Sequence, residues 1–388
     1  MKYIVVLGDG MADEPLEELG GKTPLGFANT PVMDLLAEQG EIGMVKTVPD
    51  GMSPGSDTAN LSVLGYDPKV YYSGRSPLEA LNIGVDMKEG DIAIRANLVT
   101  LSEEEEVYEE KRILDHSADE ISTKEAAVLL DAVKQELQNE IFQFYVGTSY
   151  RHCMIWKQGM VVPLTPPHDI RGMVIGDYVA EEKLLLDLQR KSYEKKGLNP
   201  GNSLWLWGAG TKPQLTDFRE KFHKKGAMIS AVDLLKGIAV GTGMVNLTVE
   251  GATGGLHTNY EGKARAALNA LLKDSFDFAY IHVEAPDEMG HQGSIEKKVQ
   301  AIEYLDERVI RLVKEGLDAS GEDYRILILP DHPTPIHVKT HTGNPVPYLL
   351  YDSRKKEKHC WKYNEKEAEK SGKILEKGHE MLGYLFEE

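Results

Sequence analysis

Cysteine is scarce in this chain of 388 residues, since Cys153 and Cys360 are the only two. Two cysteines do not make the disulfide framework of a small secreted protein, and we expect a reducing compartment. The sequence also lacks any apolar run near the roughly 20 residues that a membrane helix needs. The apolar start, Met1 to Leu7, is too short for a secretion signal and is soon followed by Asp9. These absences predict a soluble, cytoplasmic protein.

Basic residues are also fewer than acidic ones: the chain has 44 lysines and arginines and 62 aspartates and glutamates, which gives a formal net charge of −18. Without a long basic run, nucleic acids and membranes are not expected as partners. A small anionic substrate is still compatible with this charge, because bound metal ions can invert the local field. The oligomeric state is left open.

A nucleotide-binding fingerprint is missing too. The segment from Leu19 to Pro24 imitates the end of a phosphate-binding P-loop, but Leu16 occupies the position of its first glycine. Pro24 also disfavours the helix that should follow. We therefore expect no P-loop and find no signal for ATP.

Pairs of residues that suit metal binding follow two apolar runs. Ile326 to Leu329 predicts a buried parallel strand, and Asp331 and His332 come shortly after it. A second strand, predicted from Tyr3 to Leu7, leads to Asp9 between two glycines. Ligands of open α/β sheets gather beyond the carboxyl ends of strands, and aspartate with histidine offers oxygen and nitrogen to a divalent metal. Each cluster alone is also typical of a capped turn.

Three further signals have the same character. Asp287 and His291 follow another apolar strand at a spacing that places them on one side of a helical turn, and His341 comes later in the chain. Ser56 follows Gly55 at the start of a predicted helix, where a serine is either an N-cap or a nucleophile activated by a metal or a base. Two divalent metals about 3.5–4 Å apart need about this many ligands and can clamp a phosphoryl displacement.

Alternating strands and helices predict an α/β fold, with a mostly parallel sheet and helices on both faces. One of these helices is predicted from Asp177 to Lys195. Residues 91–174 are predicted to form a smaller inserted α+β domain, and residues 1–90 and 175–388 the metal-binding catalytic domain. The candidate substrate-binding residues are Arg75, Arg95, Arg151, Arg171 and His116.

The chain resembles the alkaline-phosphatase superfamily and, within it, the cofactor-independent phosphoglycerate mutases of the archaeal type. The resemblance covers nearly the whole chain. Its motifs are Gly8-Asp9-Gly10, Gly21 to Leu25, Ser53 to Asp57, Gly74 to Ala80, Gly251 to Gly254, Asp287 with His291, Asp331-His332 and His341 to Pro347.

The resemblance implies an isomerase of glycolysis and gluconeogenesis that interconverts 3-phosphoglycerate and 2-phosphoglycerate through phosphoserine at Ser56. It implies two divalent metal ions, with manganese as the usual metal and zinc, cobalt or magnesium as alternatives. One ion would be held by Asp287, His291 and His341, and the other by Asp9, Asp331, His332 and the oxygen of Ser56. Arginines of the inserted domain would hold the substrate carboxylate.

One segment departs from the family pattern. Where archaeal mutases carry an arginine-rich stretch, residues 114–120 are Leu-Asp-His-Ser-Ala-Asp-Glu. This segment resembles a bacterial branch proposed to act as homoserine kinases. A homoserine kinase-like phosphotransferase on the same scaffold is therefore the alternative, and a non-catalytic metal-binding protein is the hypothesis from a different class.

Overall fold

The structure is a computed structural model that describes residues 1–193, 201–355 and 358–387. The chain forms two compact units. The large unit comprises Met1–Tyr72 and Leu215–Glu388, and the small unit comprises Ser73–Gln214. Within the described ranges, every helix is too short or too polar to cross a membrane.

Strands and helices alternate along much of the chain. The strands are β1 Lys2–Gly8, β2 Glu41–Val45, β3 Ile92–Leu101, β4 Ile113–Asp115, β5 Phe142–Thr148, β6 Arg151–Trp156, β7 Ser203–Thr211, β8 Gly226–Ile229, β9 Val245–Asn246, β10 Phe278–Val283, β11 Tyr324–Leu329, β12 Val346–Asp352 and β13 Ile374–Leu375. The α-helices are α1 Pro24–Phe27, α2 Pro31–Gln39, α3 Ser56–Val63, α4 Pro68–Tyr71, α5 Arg75–Asn82, α6 Thr123–Leu137, α7 Lys183–Tyr193, α8 Phe218–Phe222, α9 Asp233–Gly241, α10 Tyr260–Leu272, α11 Ala285–His291, α12 Ile295–Leu305, α13 Arg311–Ser320, α14 Glu365–Lys370 and α15 Met381–Phe386. The helix predicted from Asp177 to Lys195 begins six residues later, since α7 starts at Lys183, and Glu194 and Lys195 lie outside the described residues.

The large unit is built on one sheet, whose described strands follow the order β13-β2-β12-β11-β1-β10-β8-β9. Strand β1 is parallel to β10 on one side and to β11 on the other, and β8 is parallel to β10. Strand β12 is antiparallel to both β11 and β2. The continuous apolar runs of β1, β10 and β11 suit strands that are buried on both faces. The predicted mostly parallel sheet is confirmed.

The register of the central strands brings their carboxyl ends to one edge of this sheet. Leu7 of β1 pairs with Leu329 of β11, and Gly8 pairs with Val283 of β10. The chain therefore leaves all three strands at nearly the same level, and Asp9 is the first residue beyond β1. Loops that are far apart in sequence meet at this edge.

Helices pack on both faces of the sheet, because successive side chains of a strand point in opposite directions. On one face, Ile4 and Ile281 join a buried cluster with Ala267 of α10. On the other, the Tyr3 ring meets the Phe386 ring of α15 edge-on, with centroids 5.0 Å apart. The central strands are thus covered on both sides, as predicted.

The small unit has an antiparallel sheet in the order β4-β3-β6-β5, and β7 also pairs with β3. Ile92 pairs with Thr211, so that residues after 200 complete a sheet begun near 92. Helix α5 is tied to β3 because the Arg95 backbone N–H donates to Ser76 Oγ at 3.0 Å. Residues 73–90 and 175–214, which the sequence places in the catalytic domain, therefore belong to the small unit. The boundary between the units differs from the predicted one because β3 and β7, which are more than 100 residues apart in sequence, pair in one sheet.

Three consecutive residues of the small unit, Ala118, Asp119 and Glu120, have positive φ angles of 50°, 56° and 49°. The left-handed conformation costs an L-residue with a Cβ roughly 1–2 kcal/mol. Because Glu120 is exposed, we expect Glu120→Gly to raise the free energy of unfolding by about 1 kcal/mol. Ala132→Gly, at an exposed position inside α6, should lower it by about 1 kcal/mol. Chemical denaturation measures both free energies of unfolding. If neither glycine variant is more stable than the wild type, or if both are, the result contradicts the left-handed conformation at Glu120.

Candidate functional site

Asp9 lies at the centre of the candidate site and is 2% exposed. Its Oδ2 accepts a hydrogen bond from His282 Nε2 at 2.9 Å, whereas Oδ1 is buried without a hydrogen-bond partner among the described residues. Burial raises the pKa of Asp9 well above its usual value, and the carboxylates of Asp331 and Asp287 raise it further. A buried carboxylate oxygen without a donor, among other carboxylates, is a place where a cation fits.

The turn after Asp9 requires a glycine. Gly10 has a φ of 57°, and a Cβ built on it would lie 2.4 Å from Asp287 Oδ1 and 2.5 Å from Thr334 Oγ1. Its N–H donates to Asp331 Oδ1 at 3.1 Å. The glycine thus lets the backbone of one loop approach the carboxylates of two others.

Asp331 is fully buried and holds the beginning of α3 in place. Its Oδ1 accepts from the N–H of His332 at 2.9 Å, and its Oδ2 accepts from Asn60 Nδ2 at 2.8 Å. Asn60 Nδ2 also donates to the carbonyl of Ser56 at 2.9 Å, and its Oδ1 accepts from the Tyr280 hydroxyl at 2.6 Å. The amide of Asn60 therefore connects a candidate ligand to the helix that carries the candidate nucleophile.

Ser56 is the first residue of α3, after the N-cap Gly55. Its Oγ lies 3.2 Å from His332 Nε2, and this nitrogen lies 3.4 Å from both Asp9 Oδ1 and Asp331 Oδ2. Burial lowers the pKa of His332 and favours the neutral ring. The serine hydroxyl thus lies beside a buried imidazole whose Nε2 is also close to two carboxylates, at a helix N-terminus that favours negative charge.

Asp287, His291 and His341 form the second part of the site. His291 Nε2 lies 3.1 Å from Asp287 Oδ2, and His341 Nε2 lies 3.5 Å from Asp287 Oδ1. Burial opposes ionisation of Asp287, but the hydrogen bonds of the two histidines outweigh it and hold the pKa of Asp287 well below its usual value. The carboxylate is therefore ionised at neutral pH.

The two histidines of this group point their Nε2 atoms at each other, 3.0 Å apart. Nδ1 of His291 donates to the carbonyl of Lys339 at 2.9 Å, and Nδ1 of His341 donates to the carbonyl of Pro54 at 3.0 Å. Since each Nδ1 carries the hydrogen, two neutral rings would present two opposed lone pairs. Hydrogen bonding to Asp287 raises the pKa of His291 to about 9. A proton on His291 Nε2 removes this repulsion at neutral pH, and a metal ion bound to both Nε2 atoms would take the place of that proton. Nδ1–H bound to a carbonyl is the usual support of a metal-binding histidine.

Thr334 orients His332 in the same manner. The Thr334 hydroxyl donates to Asp287 Oδ1, which as a carboxylate only accepts, and lies 3.3 Å from His332 Nδ1. The threonine oxygen therefore accepts from Nδ1–H, and the Nε2 lone pair of His332 is directed to Ser56. When neutral, the three histidines thus present Nε2 acceptors to one region that is rich in carboxylates.

The seven residues predicted as metal ligands meet in the large unit: Asp9, Ser56, Asp287, His291, Asp331, His332 and His341. One ligand atom each of Asp287, His332 and His341 lies within 4.8 Å of the others, and the same holds for Asp9, His282 and Asp331. The sequence analysis missed His282, Thr334 and Asn60. A histidine inside the apolar run of β10 is the one signal that points to His282.

The small unit contains a cluster of arginines around the half-buried Glu79. Arg75 Nε and Arg95 Nε each lie 3.0 Å from a Glu79 oxygen, and the Arg95 guanidinium lies 4.4 Å from the centre of the Trp207 ring. Burial opposes ionisation of this carboxylate, but the charges of Arg95, Arg75 and Arg151 outweigh it and lower the pKa. One carboxylate balances one of three guanidinium groups, so the excess positive charge suits an anion.

Two histidines border this cluster. The His116 ring lies 6.2 Å from the His168 ring, which lies 5.4 Å from the ring of Trp207. Arg171, by contrast, is exposed and donates through Nε to the carbonyl of Leu114 at 3.3 Å. The structure thus brings four of the five predicted substrate-binding residues together and directs the fifth to the backbone of β4. Glu79, Trp207 and His168 were not predicted.

Comparison with known proteins is consistent with this geometry. A model of the 2,3-bisphosphoglycerate-independent phosphoglycerate mutase family matches residues 37–198. The chain is 48% identical to the 2,3-bisphosphoglycerate-independent phosphoglycerate mutase of Methanosarcina barkeri, with 99% of both chains covered.

Two solved structures share the fold. A protein from Pyrococcus horikoshii matches with a TM-score of 0.80 and 30% identity, covering 99% of this chain and 96% of the other. The cofactor-independent phosphoglycerate mutase of Thermoplasma acidophilum matches with a TM-score of 0.62 and 27% identity, covering 99% and 98%. These relatives span the full chain, including both units. The chain belongs to the family of 2,3-bisphosphoglycerate-independent phosphoglycerate mutases.

Proposed function

We propose that this protein interconverts 3-phosphoglycerate and 2-phosphoglycerate, and that Ser56 carries the phosphoryl group between the two oxygens. The observation that carries the proposal is the Ser56 hydroxyl, 3.2 Å from His332 Nε2 in a region shared with the ionisable groups of Asp9 and Asp331. Membership of the mutase family supplies the substrate class. The proposal places the protein in the cytoplasm, where glycolytic phosphoglycerate is made and consumed.

Two divalent metal ions complete the proposed site. The proposed ligands are Asp287, His291 and His341 for one ion, and Asp9, Asp331, His332 and Ser56 for the other. The unpartnered Asp9 Oδ1 and the opposed Nε2 atoms of His291 and His341 suit such cations. When bound, the ions would lower the pKa of the serine hydroxyl and neutralise charge on the phosphoryl oxygens. We propose Mn²⁺, with Zn²⁺, Co²⁺ and Mg²⁺ as alternatives that suit the same oxygen and nitrogen ligands.

The reaction conserves every atom of the substrate. Ser56 Oγ forms a bond to phosphorus and loses its proton, while the bond from phosphorus to the glycerate oxygen breaks and that oxygen gains a proton. The other glycerate hydroxyl then loses its proton as it attacks phosphorus, and Ser56 recovers its own. The chain holds Ser56 in place for both displacements through Asn60, which bonds the Ser56 carbonyl and Asp331.

The arginine cluster of the small unit is proposed to bind the substrate carboxylate. Arg75 and Arg95 each contact a Glu79 oxygen through Nε at 3.0 Å, which fixes the positions of both guanidinium groups beside each other. Arg151 adds a third positive charge near the same carboxylate. His116 borders the cluster and is proposed to contact the same substrate.

Two parallel assays test the assignment. An enolase-coupled assay with Mn²⁺ should show conversion of 3-phosphoglycerate without added 2,3-bisphosphoglycerate, and homoserine with ATP should give no phosphohomoserine. Phosphohomoserine formation without mutase turnover would establish the kinase-like alternative that the segment around His116 suggests. Metal binding with neither activity would overturn the proposal in favour of a non-catalytic protein.

We expect Arg151→Gln to raise KM for 3-phosphoglycerate by about 10- to 100-fold, because a hydrogen bond to a charged partner contributes roughly 1.5–3 kcal/mol. Turnover at saturation should change less than KM. Arg112→Gln is the matched control, since Arg112 is exposed and donates to the carbonyl of Gly172. Equal KM values for the two variants would remove Arg151 from the substrate site.

A further inference from the structure

Three buried side chains form a hydrogen-bonded row across neighbouring strands of the large sheet. Ser230 follows β8, His282 lies in β10 and Asp9 follows β1, and these strands are adjacent. Ser230 Oγ lies 3.2 Å from His282 Nδ1, and His282 Nε2 lies 2.9 Å from Asp9 Oδ2. The His282 side chain is completely buried, so water cannot replace either contact.

The direction of hydrogen donation along this row follows from the chemistry of its members. With a cation bound beside it, Asp9 is an ionised carboxylate that only accepts, so the hydrogen of the neutral His282 ring is on Nε2. Nδ1 is then an acceptor, and the Ser230 hydroxyl donates to it. Ser230 Oγ itself accepts from the N–H of Val232 at 3.0 Å, which fixes the hydroxyl. Donation therefore runs from Ser230 to His282 and on to Asp9.

The backbone of β10 is also held at this point. The buried Lys263 Nζ donates to the carbonyl of His282 at 2.8 Å. The imidazole consequently has little freedom to turn, and both of its nitrogens are engaged. His282 has no lone pair left for a metal ion, although its ring is close enough to Asp9 and Asp331 to be a ligand.

The row determines which oxygen of Asp9 faces the centre of the site. With Oδ2 bound to His282, the unpartnered Oδ1 lies 3.4 Å from His332 Nε2. We propose that His282, supported by Ser230, is a positioning residue that fixes the Asp9 carboxylate so that Oδ1 is presented to a metal ion. This inference rests on the proposed function, which places that ion beside Asp9.

Different substitutions of His282 can remove or keep the N–H group that donates to Asp9. His282→Leu removes the N–H that Asp9 accepts, whereas His282→Gln keeps an N–H near the position of Nε2. Ser230→Ala leaves the ring in place but removes the donor to Nδ1. Circular dichroism melting of the full-length variants identifies those that fold, and Ser230→Ala keeps the test valid if His282→Leu does not.

Mn²⁺ binding to the full chain, measured by titration calorimetry with no substrate present, is the readout. We expect two ions on the wild type and, in His282→Leu, a 10- to 100-fold loss of affinity at one site only, about the effect of removing an outer-shell partner of a ligand. His282→Gln should recover most of the loss, and Ser230→Ala should show a smaller loss at the same site. Uniform weakening of both sites would indicate a merely structural role.

Other outcomes overturn the inference in distinguishable ways. If His282→Gln binds as poorly as His282→Leu, the imidazole is itself a ligand. If neither variant changes Mn²⁺ affinity, His282 does not position Asp9, while the proposed function stands. Wild-type protein that binds no metal would contradict the proposed function and this inference with it.

Discussion

Ser56→Ala is expected to lower phosphoglycerate mutase turnover by about 10⁴- to 10⁶-fold, the range found when one member of a catalytic group is removed. Alanine has no oxygen to accept the phosphoryl group, and among the described residues no second hydroxyl lies within hydrogen-bond distance of His332 Nε2. The fold should persist, because Asn60 bonds the Ser56 backbone rather than its side chain. The enolase-coupled assay measures the loss.

The matched control for this variant is Ser53→Ala. Ser53 is an exposed serine of the same loop, three residues away, and its substitution should leave turnover near that of the wild type. Acid quenching with radiolabelled phosphoglycerate should trap phosphoserine on the wild type and on Ser53→Ala, and none on Ser56→Ala. Trapped label on Ser56→Ala, or turnover equal to the control, would remove Ser56 as the phosphoryl carrier.

Removal of divalent metal is expected to abolish turnover and to destabilise the large unit. Without a cation, Asp9, Asp287 and Asp331 share a buried region, where burial and then the charges of Asp331 and Asp287 raise the pKa of Asp9. An ion bound at 1,000 times its Kd stabilises the fold by about 4 kcal/mol. Loss of two ions should therefore lower the melting temperature by about 10 °C or more.

The experiment compares protein dialysed against EDTA with protein dialysed against EDTA already saturated with Mn²⁺. Turnover and melting temperature should fall only in the first sample, and Mn²⁺ should restore both. Because the carboxyl pKa of Asp9 is raised in the fold, the metal-free protein should lose further stability as pH rises above the ordinary value of 3.8. Full turnover in protein shown by elemental analysis to be metal-free would contradict the proposed mechanism.

The parts of the fold that the sequence predicted are those governed by local pattern. The continuous apolar runs of β1 and β11 predict strands buried on both faces, and the parallel arrangement is confirmed. Asp9 and Asp331 were predicted as metal ligands because they follow such runs, and the parallel register brings the ends of these strands together. The position of a residue just after a strand can be read from local sequence, and in a parallel sheet it brings that residue close to residues that are distant in sequence.

The missed features depend on contacts between distant residues. His282 lies within an apolar strand, and its role is visible only from its contact with Asp9, 273 positions away. The domain boundary shifted because β7 pairs with β3, which no local periodicity reveals. Glu79 resembles any glutamate of a helix until Arg95 is seen beside it. A single sequence does not determine which residues that are far apart along the chain come into contact.

The most direct test is anomalous diffraction at the manganese edge from crystals of the wild-type protein grown with Mn²⁺. We predict two peaks in the large unit, one contacted by Asp287, His291 and His341, and the other by Asp9, Asp331, His332 and Ser56 Oγ. A single peak, or peaks that these side chains do not contact, would contradict a two-metal centre around Ser56.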